Sequence, residues 1–114
     1  MSQTNAFTPS RGDEDRRVIA SLAKAGADLS KPRLVTHYLY FETAQSAEEV
    51  AQMLPREGFK VDIGSDPATG IWQVKAEHQI VVNLDTIEAP SRHLYHLASC
   101  HGGDYDGWET QAKP

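Results

Sequence analysis

The stretch RLVTHYLYF, residues 33–41, is dense in β-branched and aromatic side chains. Both of its alternating sets of residues are mostly apolar, which is typical of a strand with neighbours on each side in a sheet. We therefore predict a central β-strand over residues 33–41. One set is Leu34, Thr36, Tyr38 and Tyr40, and the other is Val35, His37, Leu39 and Phe41.

Apolar residues at helical spacing predict three helices around this strand. Proline lacks an N–H donor, so Pro55 is expected to distort the end of the second helix. Pro90 leaves two starts open for the third helix, at Thr86 or at Ala89. The helices are expected over residues 13–25, residues 43 to about 57, and residues 85–101. Their expected N-caps are Asp13, then Thr43 or Ser46, then Asp85 or Thr86.

Three further strands complete the predicted sheet. Residues 59–63 and 71–79 form a hairpin, because the loop between them is rich in turn-forming Ser, Asp, Pro and Gly. Residues 104–111 form a short final strand after a pair of glycines ends the third helix. In the second hairpin strand, one side carries Trp72, Val74, Ala76 and His78.

The predicted order is a helix followed by βαββαβ. Short right-handed connections place two helices on one face of a four-stranded antiparallel sheet. This is a ferredoxin-like α+β sandwich with an additional N-terminal helix. Residues 1–12 are polar and show no period, so we expect a flexible tail there and a single domain over residues 13–111.

The composition limits the classes of function. The chain has 114 residues, with 11 Lys plus Arg against 16 Asp plus Glu and a net charge of −5. This balance disfavours a nucleic-acid groove, since phosphate binding relies on Lys and Arg. No apolar run approaches the ~20 residues of a membrane span, and the single cysteine, Cys100, forms no internal disulfide. We expect a cytoplasmic protein that binds neither membrane nor nucleic acid directly.

His93, His96 and Cys100 are spaced so that one helix face presents all three. They are weak candidates for a zinc site, because structural zinc takes four ligands. They are also weak candidates for a Cys-His enzyme, because a reactive thiol needs basic neighbours and no Lys or Arg lies between residues 93 and 112. We therefore expect polar surface here, with no catalytic residue, no cofactor and no metal.

Tyr38 and Tyr40 lie on one face of the predicted central strand. RNA-recognition modules share the βαββαβ order and stack bases on such rings. The strand at residues 71–78, IWQVKAEH, lacks the basic, glycine and aromatic pattern of those modules. The other possibilities are contact with a protein partner and association of two copies of the chain, so we expect a monomer or a weak homodimer.

The segment DYDGWE, residues 104–109, has a mechanical and a functional interpretation. Mechanically, Asp-Gly suits a turn or a bulge, and the two aromatic rings suit packing at the sheet. Functionally, an exposed aromatic and acidic edge fits recognition by a partner chain. The candidate partner-binding residues are Asp104, Tyr105, Asp106, Gly107, Trp108 and Glu109.

Four short motifs together resemble one known family, the regulator of ribonuclease E activity B. The motifs are AGADLSKP at 25–32, EGF at 57–59, NLDTI at 83–87 and YDGW at 105–108, and the resemblance covers about residues 13–109. It implies a ferredoxin-like fold, no catalytic residues, and binding to the endoribonuclease of the RNA degradosome, whose cleavage of RNA is reduced. Enteric members continue into a long acidic tail after YDGW, whereas this sequence stops at Pro114.

We therefore predict an inhibitor of endoribonuclease E that acts by protein–protein contact. RNA-binding segments of nucleases are basic, so an acidic domain would speed encounter with such a segment and compete with RNA. Two other classes remain open at this point. They are a metal-binding or Cys/His-dependent enzyme on the His93, His96 and Cys100 face, and an RNA-binding ferredoxin-like module.

Overall fold

The computed structural model describes the backbone of residues 7–111 and the side chains of residues 15–111. Its helices are α1 (Phe7–Lys24), α2 (Ala44–Met53) and α3 (Leu84–Cys100), and a 3₁₀ turn at Leu54–Glu57 follows α2. Its strands are β1 (Arg33–Phe41), β2 (Lys60–Ser65), β3 (Trp72–Ile80) and β4 (Asp104–Thr110). No helix within these residues is both long enough and apolar enough to cross a membrane.

The strands form one antiparallel sheet in the order β2-β3-β1-β4. The predicted α+β sandwich with a four-stranded antiparallel sheet is therefore confirmed. After α1, the element order is the predicted βαββαβ. The finer ferredoxin-like assignment stays a prediction.

The central position of β1 is confirmed by its pairing with β3 on one side and β4 on the other. Alternate residues of β1 are buried, and Val35, His37 and Leu39 have no exposed surface. The intervening residues are partly or fully exposed. The two faces of the sheet therefore have different surroundings, although both faces of this strand read as mostly apolar in the sequence.

All three helices pack on the face of the sheet that carries Val35, His37 and Leu39. The buried residues Val50 of α2 and Leu94 of α3 join the main core on that face. Leu22 of α1 lies in a second cluster with Val35, Val82, Ile87 and Trp108. Apolar burial of this kind contributes roughly 25 cal/mol per Å² and holds the helix layer on the sheet.

The start of α1 differs from the prediction. The helix begins at Phe7 rather than after Asp13, so residues 7–12 are helical and Asp13 is not an N-cap. Pro9 is compatible with this start, because proline in a first helical turn loses no hydrogen bond. The remainder of the predicted tail, residues 1–6, lies outside the described residues.

The α2 prediction holds at both ends. The Thr43 hydroxyl accepts a hydrogen bond from the Ser46 backbone N–H at 3.2 Å, so Thr43 is the N-cap. The helix tightens into a 3₁₀ turn at Pro55, which confirms that the proline distorts its end. Gly58 then stops the turn in the left-handed conformation, with φ +93°.

The predicted start of α3 is wrong. Asn83 is the N-cap, and it forms a reciprocal pair of hydrogen bonds with Thr86, each 3.0 Å long. The helix begins at Leu84, so Pro90 lies inside it and neither predicted start is correct. The Asn83 cap and the burial of Ile87 and Ser91 on either side of Pro90 stabilise the helix across the missing backbone donor.

A bulge in β4 determines where the side chains of the YDGW motif point. The register with β1 shifts between His37 and Leu39, and Gly107 has φ +96°. In a regular strand, Tyr105 and Trp108 would lie on opposite faces. The extra residue turns both rings into the core, as the mechanical interpretation predicted, and it places Glu109 opposite Thr36 on the other face.

Candidate partner-binding face

The sheet face opposite the helices is a surface of polar and aromatic side chains, which we call the open face. The pairing of residues across neighbouring strands shows which side chains belong to this face. β1 contributes Leu34, Thr36, Tyr38 and Tyr40, and β3 contributes Gln73, Lys75 and Glu77. β2 contributes Lys60 and Asp62, and β4 contributes Asp104, Asp106 and Glu109.

Two carboxylates flank the central strand of the open face. Thr36 pairs with Glu77 of β3 on one side and with Glu109 of β4 on the other. The Thr36 hydroxyl donates to Glu77 Oε2 at 3.1 Å, and the Tyr38 hydroxyl donates to Glu109 Oε2 at 2.7 Å. These hydroxyl donors are neutral, so they orient the carboxylates and leave their negative charge in place.

The carboxylates Glu109 and Glu77 raise the pKa of the Tyr38 hydroxyl. The hydrogen bond to Glu109 raises the pKa of Tyr38 to about 12, with further contributions from burial and from the charge of Glu109. Tyr40 and Glu77 raise it in the same direction. The phenol therefore stays protonated and donates to Glu109 throughout the neutral range.

On the open face, carboxylates outnumber cations. The described carboxylates are Asp62, Glu77, Asp104, Asp106 and Glu109, and the described lysines are Lys60 and Lys75. At the end near Thr36, Lys31 pairs with Asp28 at 3.7 Å. The Arg33 guanidinium donates to the backbone carbonyls of Gln111 and Asp28. These neutral carbonyls leave the positive charge of Arg33 in place, so the described residues give five carboxylates against Lys60, Lys75 and Arg33, and the open face has an excess of negative charge.

On the helix-covered face, a chain of hydrogen bonds runs through the core. The Tyr105 hydroxyl is 2.7 Å from His37 Nδ1 and 3.3 Å from Ser91 Oγ. On the other side of the ring, His37 Nε2 is 3.0 Å from His78 Nε2. Every link joins neutral groups when both histidines are uncharged, so the chain satisfies buried polar atoms without a buried charge.

Burial keeps the two histidines in this series of hydrogen bonds, His37 and His78, neutral. It is the main cause that lowers the pKa of His37 to about 3, and the neighbouring His78 adds to the effect. Burial also lowers the pKa of His78. The ring of Phe59 lies against both histidines, with ring centroids 5.9 Å from His37 and 4.6 Å from His78. The arrangement is structural, because His37 has no exposed surface.

Trp108 links β4 to α1. Its indole N–H donates to Asp15 Oδ1 at 2.8 Å, and both residues are buried. A buried carboxyl group that accepts such a hydrogen bond anchors α1 to the sheet, and loss of the indole would leave a buried polar atom without this donor. This contact makes α1 part of the folded domain.

The candidate partner-binding residues separate into two groups. Tyr105, Gly107 and Trp108 are buried, and their side chains or backbone face the helix layer. Asp104, Asp106 and Glu109 are exposed on the open face. Within the motif, only these three carboxylates are therefore accessible to a partner.

His93, His96 and Cys100 form a polar stripe along α3. Among the described residues, this stripe holds no cluster of metal-binding side chains. No group of three or more His, Cys, Asp or Glu side chains there converges in a geometry that would hold an ion. His93 Nε2 is instead 2.7 Å from Glu57 Oε1. The His96 ring packs edge-on against Tyr95, and Cys100 is exposed. The stripe lies away from the buried Leu94, Leu97 and Ala98.

Residues 12–110 match the family model described as Regulator of ribonuclease activity B. The chain belongs to this family. A curated member from Actinobacillus succinogenes, named Regulator of ribonuclease activity B, is 24% identical over 101 residues, which cover 85% of this chain and 71% of that protein. This regulator family confirms the resemblance read from the sequence motifs, and it favours a regulatory role over the metal, enzyme and RNA-binding alternatives.

Sequence reasoning missed two features of this structure. The first is the hydrogen-bonded chain of His37, His78, Tyr105 and Ser91. Its signal was present, because alternation put His37 and His78 each on the side of its strand that carries buried apolar residues. The second is the pair Glu77 and Glu109 on the open face. Only the β4 bulge places Glu109 there, and the motif alone does not give the register.

Proposed function

We propose that this regulator of ribonuclease activity binds endoribonuclease E directly and reduces its cleavage of RNA. The observation that carries this proposal, beside family membership, is the acidic open face. RNA-binding segments of nucleases are rich in Lys and Arg, and a surface of opposite charge accelerates encounter with such a segment. A protein bound there would compete with RNA for the same cations.

The proposal assigns partner contact to the exposed carboxylates Asp104, Asp106 and Glu109 of the YDGW region. The rings of Tyr105 and Trp108 support these residues from inside the core. The inhibitor needs no catalytic residue or cofactor. It acts in the cytoplasm as a monomer or a weak homodimer.

Purified proteins test the proposal directly. The chain is titrated into endoribonuclease E with a labelled RNA substrate, and both complex formation and the initial rate of RNA cleavage are measured. We expect saturable binding and a cleavage rate that falls with occupancy. Binding should weaken as salt rises, because exposed charges are screened over about 8 Å at 0.15 M ionic strength.

A ribonuclease of unrelated specificity, such as a pancreatic-type enzyme, is the control for non-specific charge effects. Equal inhibition of the two enzymes would point to general competition by an acidic protein. Absence of binding to endoribonuclease E at low salt would contradict the proposed function.

A further inference from the structure

We infer that the open face binds an arginine-bearing, extended segment of a protein partner, which lies along β1 between the carboxylates of β3 and β4. The inference rests on the proposed function, because it identifies the surface and the partner chemistry for the same regulatory contact. Three properties of the face carry it: an excess of carboxylates over cations, aromatic rings beside those carboxylates, and a concave shape.

Charge on the open face differs from charge on the helix layer. On the helix side, Glu88 lies 3.7 Å from Arg92, while Glu57 and Glu49 lie 2.7 Å and 3.9 Å from His93 and His101, which are charged only when protonated. Glu77 and Glu109 accept hydrogen bonds from the hydroxyls of Thr36 and Tyr38 instead. In the described part of the chain, the hydroxyl groups that orient Glu77 and Glu109 on the open face are neutral and leave the negative charge of both carboxylates in place.

The aromatic rings select among cations. Tyr38 and Tyr40 are partly exposed on β1, and Tyr40 pairs with Asp104 of β4 while Tyr38 is bonded to Glu109. Each ring thus has a carboxylate beside it. A guanidinium group stacks on an aromatic face and donates two parallel hydrogen bonds to a carboxylate, whereas a lysine ammonium is a strongly hydrated point charge. The combination therefore favours arginine over lysine.

The shape of the face fits an extended chain. A hollow of about 640 Å³ lies over Thr36 and Tyr38, and the charged residues that line it are Glu77, Glu109, Lys31, Arg33 and Lys75. A second hollow, of about 520 Å³, is lined by Tyr40, Gly64 and Gln73 among others. The two hollows lie towards opposite ends of β1. Thr36 to Tyr40 spans about 13 Å at ~3.3 Å per residue, which an extended segment of about four residues would match.

Two other occupants of the open face are disfavoured by its charge. RNA would bring phosphates against Glu77, Glu109 and the carboxylates at the start of β4. Among the described residues, Lys60 and Lys75 on the face and Lys31 and Arg33 at its Thr36 end offset these carboxylates only in part. A second copy of this chain in a two-fold contact would bring the same acidic surface against itself. A basic protein segment carries positive charge, so the carboxylates of the open face would attract it rather than repel it.

Charge-matched variants test the location. Glu77→Gln/Glu109→Gln removes two charges from the open face but keeps the acceptor oxygens for Thr36 and Tyr38. Glu48→Gln/Glu49→Gln removes two charges from exposed positions on α2, on the other side of the sheet. The probes are endoribonuclease E, a short peptide of alternating Arg and Ser, its Lys-Ser and Glu-Ser counterparts, and a single-stranded RNA. Far-ultraviolet circular dichroism and urea unfolding check that each variant is folded.

We expect the open-face variant to weaken binding of both the ribonuclease and the Arg-Ser peptide about tenfold at low salt, and the α2 variant to change it less than about twofold. Wild type should bind Arg-Ser more tightly than Lys-Ser and should bind neither Glu-Ser nor RNA. Tyr40→Leu is a second variant, which removes one ring without changing charge. It should reduce the preference for arginine over lysine.

Equal weakening by the two double variants, or a larger loss in the α2 variant, would overturn the location. Equal affinity for the Arg and Lys peptides would overturn the arginine chemistry, and RNA binding that the open-face substitutions alter would replace the protein partner with nucleic acid. If wild type binds the Arg-Ser peptide through this face but does not bind endoribonuclease E, the surface stands and the proposed function fails. If wild type binds the ribonuclease and the open-face variant binds it equally well, the proposed function stands and the inference fails.

Discussion

Tyr105 and Tyr38 lie on opposite faces of one sheet, and each hydroxyl takes part in a 2.7 Å hydrogen bond. Tyr105 is buried and its partner is the neutral His37, whereas Tyr38 is partly exposed and its partner is the charged Glu109. The same chemical group therefore has two roles. On the helix-covered face the hydrogen bond satisfies polar atoms that have lost water. On the open face it orients an exposed carboxylate at the surface.

The comparison predicts that the helix-covered face determines stability. Trp108→Ala should lower the free energy of unfolding by about 3–5 kcal/mol, because it opens a cavity and removes the donor to the buried Asp15. Leu34→Ala is the open-face control, since Leu34 is 50% exposed. It should change stability by less than about 1 kcal/mol. Urea unfolding measures the free energy of unfolding of both variants. Equal losses would contradict the prediction that the helix-covered face determines stability.

A matched pair of hydroxyl deletions isolates the two hydrogen bonds. Tyr105→Phe should cost about 1–3 kcal/mol, because it removes a hydroxyl that lies within hydrogen-bonding distance of both His37 and Ser91 in the core. Tyr38→Phe should cost less than about 0.5 kcal/mol, because water can replace its hydroxyl beside Glu109. Urea unfolding at neutral pH measures the free energy of unfolding of both variants. A larger loss in Tyr38→Phe than in Tyr105→Phe would contradict the different roles of the two hydrogen bonds.

The buried histidines make stability depend on pH. The folded pKa of His37, about 3, lies below its unfolded value of about 6.5, so only the unfolded state takes up its proton between these values. His37 therefore destabilises the fold as pH falls below about 6.5. The expected loss is about 1 kcal/mol between pH 7 and pH 5.5, and His78, whose pKa is also lowered, adds in the same direction.

His37→Gln is the variant that checks this dependence, since glutamine is polar and does not titrate. Urea unfolding at both pH values should show a smaller change in the variant than in wild type. A free energy of unfolding that is constant over this range in wild type would argue against neutral histidines in the core.

The smallest expected effect concerns the acidity of Tyr38 on the open face. Glu109→Gln should lower the pKa of Tyr38 from about 12 towards the ordinary value near 10, because the hydrogen bond to Glu109 is the largest cause of the shift. Ring-carbon NMR shifts of Tyr38 follow the titration. Glu48→Gln on α2 is the control and should leave it unchanged. If the pKa of Tyr38 were the same in Glu109→Gln as in wild type, Glu109 would not be the cause of the raised pKa.

The strand patterns predicted from the sequence were sufficient to separate the two faces. Alternation in residues 33–41 separated His37 from Tyr38, and alternation in residues 72–78 grouped His78 with Val74 and Ala76, because a period of two is a local property. It did not say which face of the central strand the helices cover, because both faces read as mostly apolar. Pro55 likewise predicted the end of α2 correctly, since the loss of a backbone donor is also local.

Features that depend on distant contacts were harder to predict. The start of α3 at Leu84 depends on the reciprocal bonds between Asn83 and Thr86 and on the burial of Ile87, which together hold the helix across Pro90. The position of Glu109 opposite Thr36 depends on the bulge at Gly107 and on the pairing of β4 with β1. Sequence motifs marked residues 104–109 as special but did not say which of their side chains are exposed.

Backbone NMR of the labelled protein during titration with the Arg-Ser peptide tests most directly whether the open face is the binding surface. We expect the largest shift changes at Thr36, Tyr38 and Tyr40 of β1 and at the neighbouring Glu77 and Glu109, with little change on α2 and α3. Changes concentrated on the exposed residues of α2 and α3, with β1 and β4 unaffected, would contradict binding at the open face.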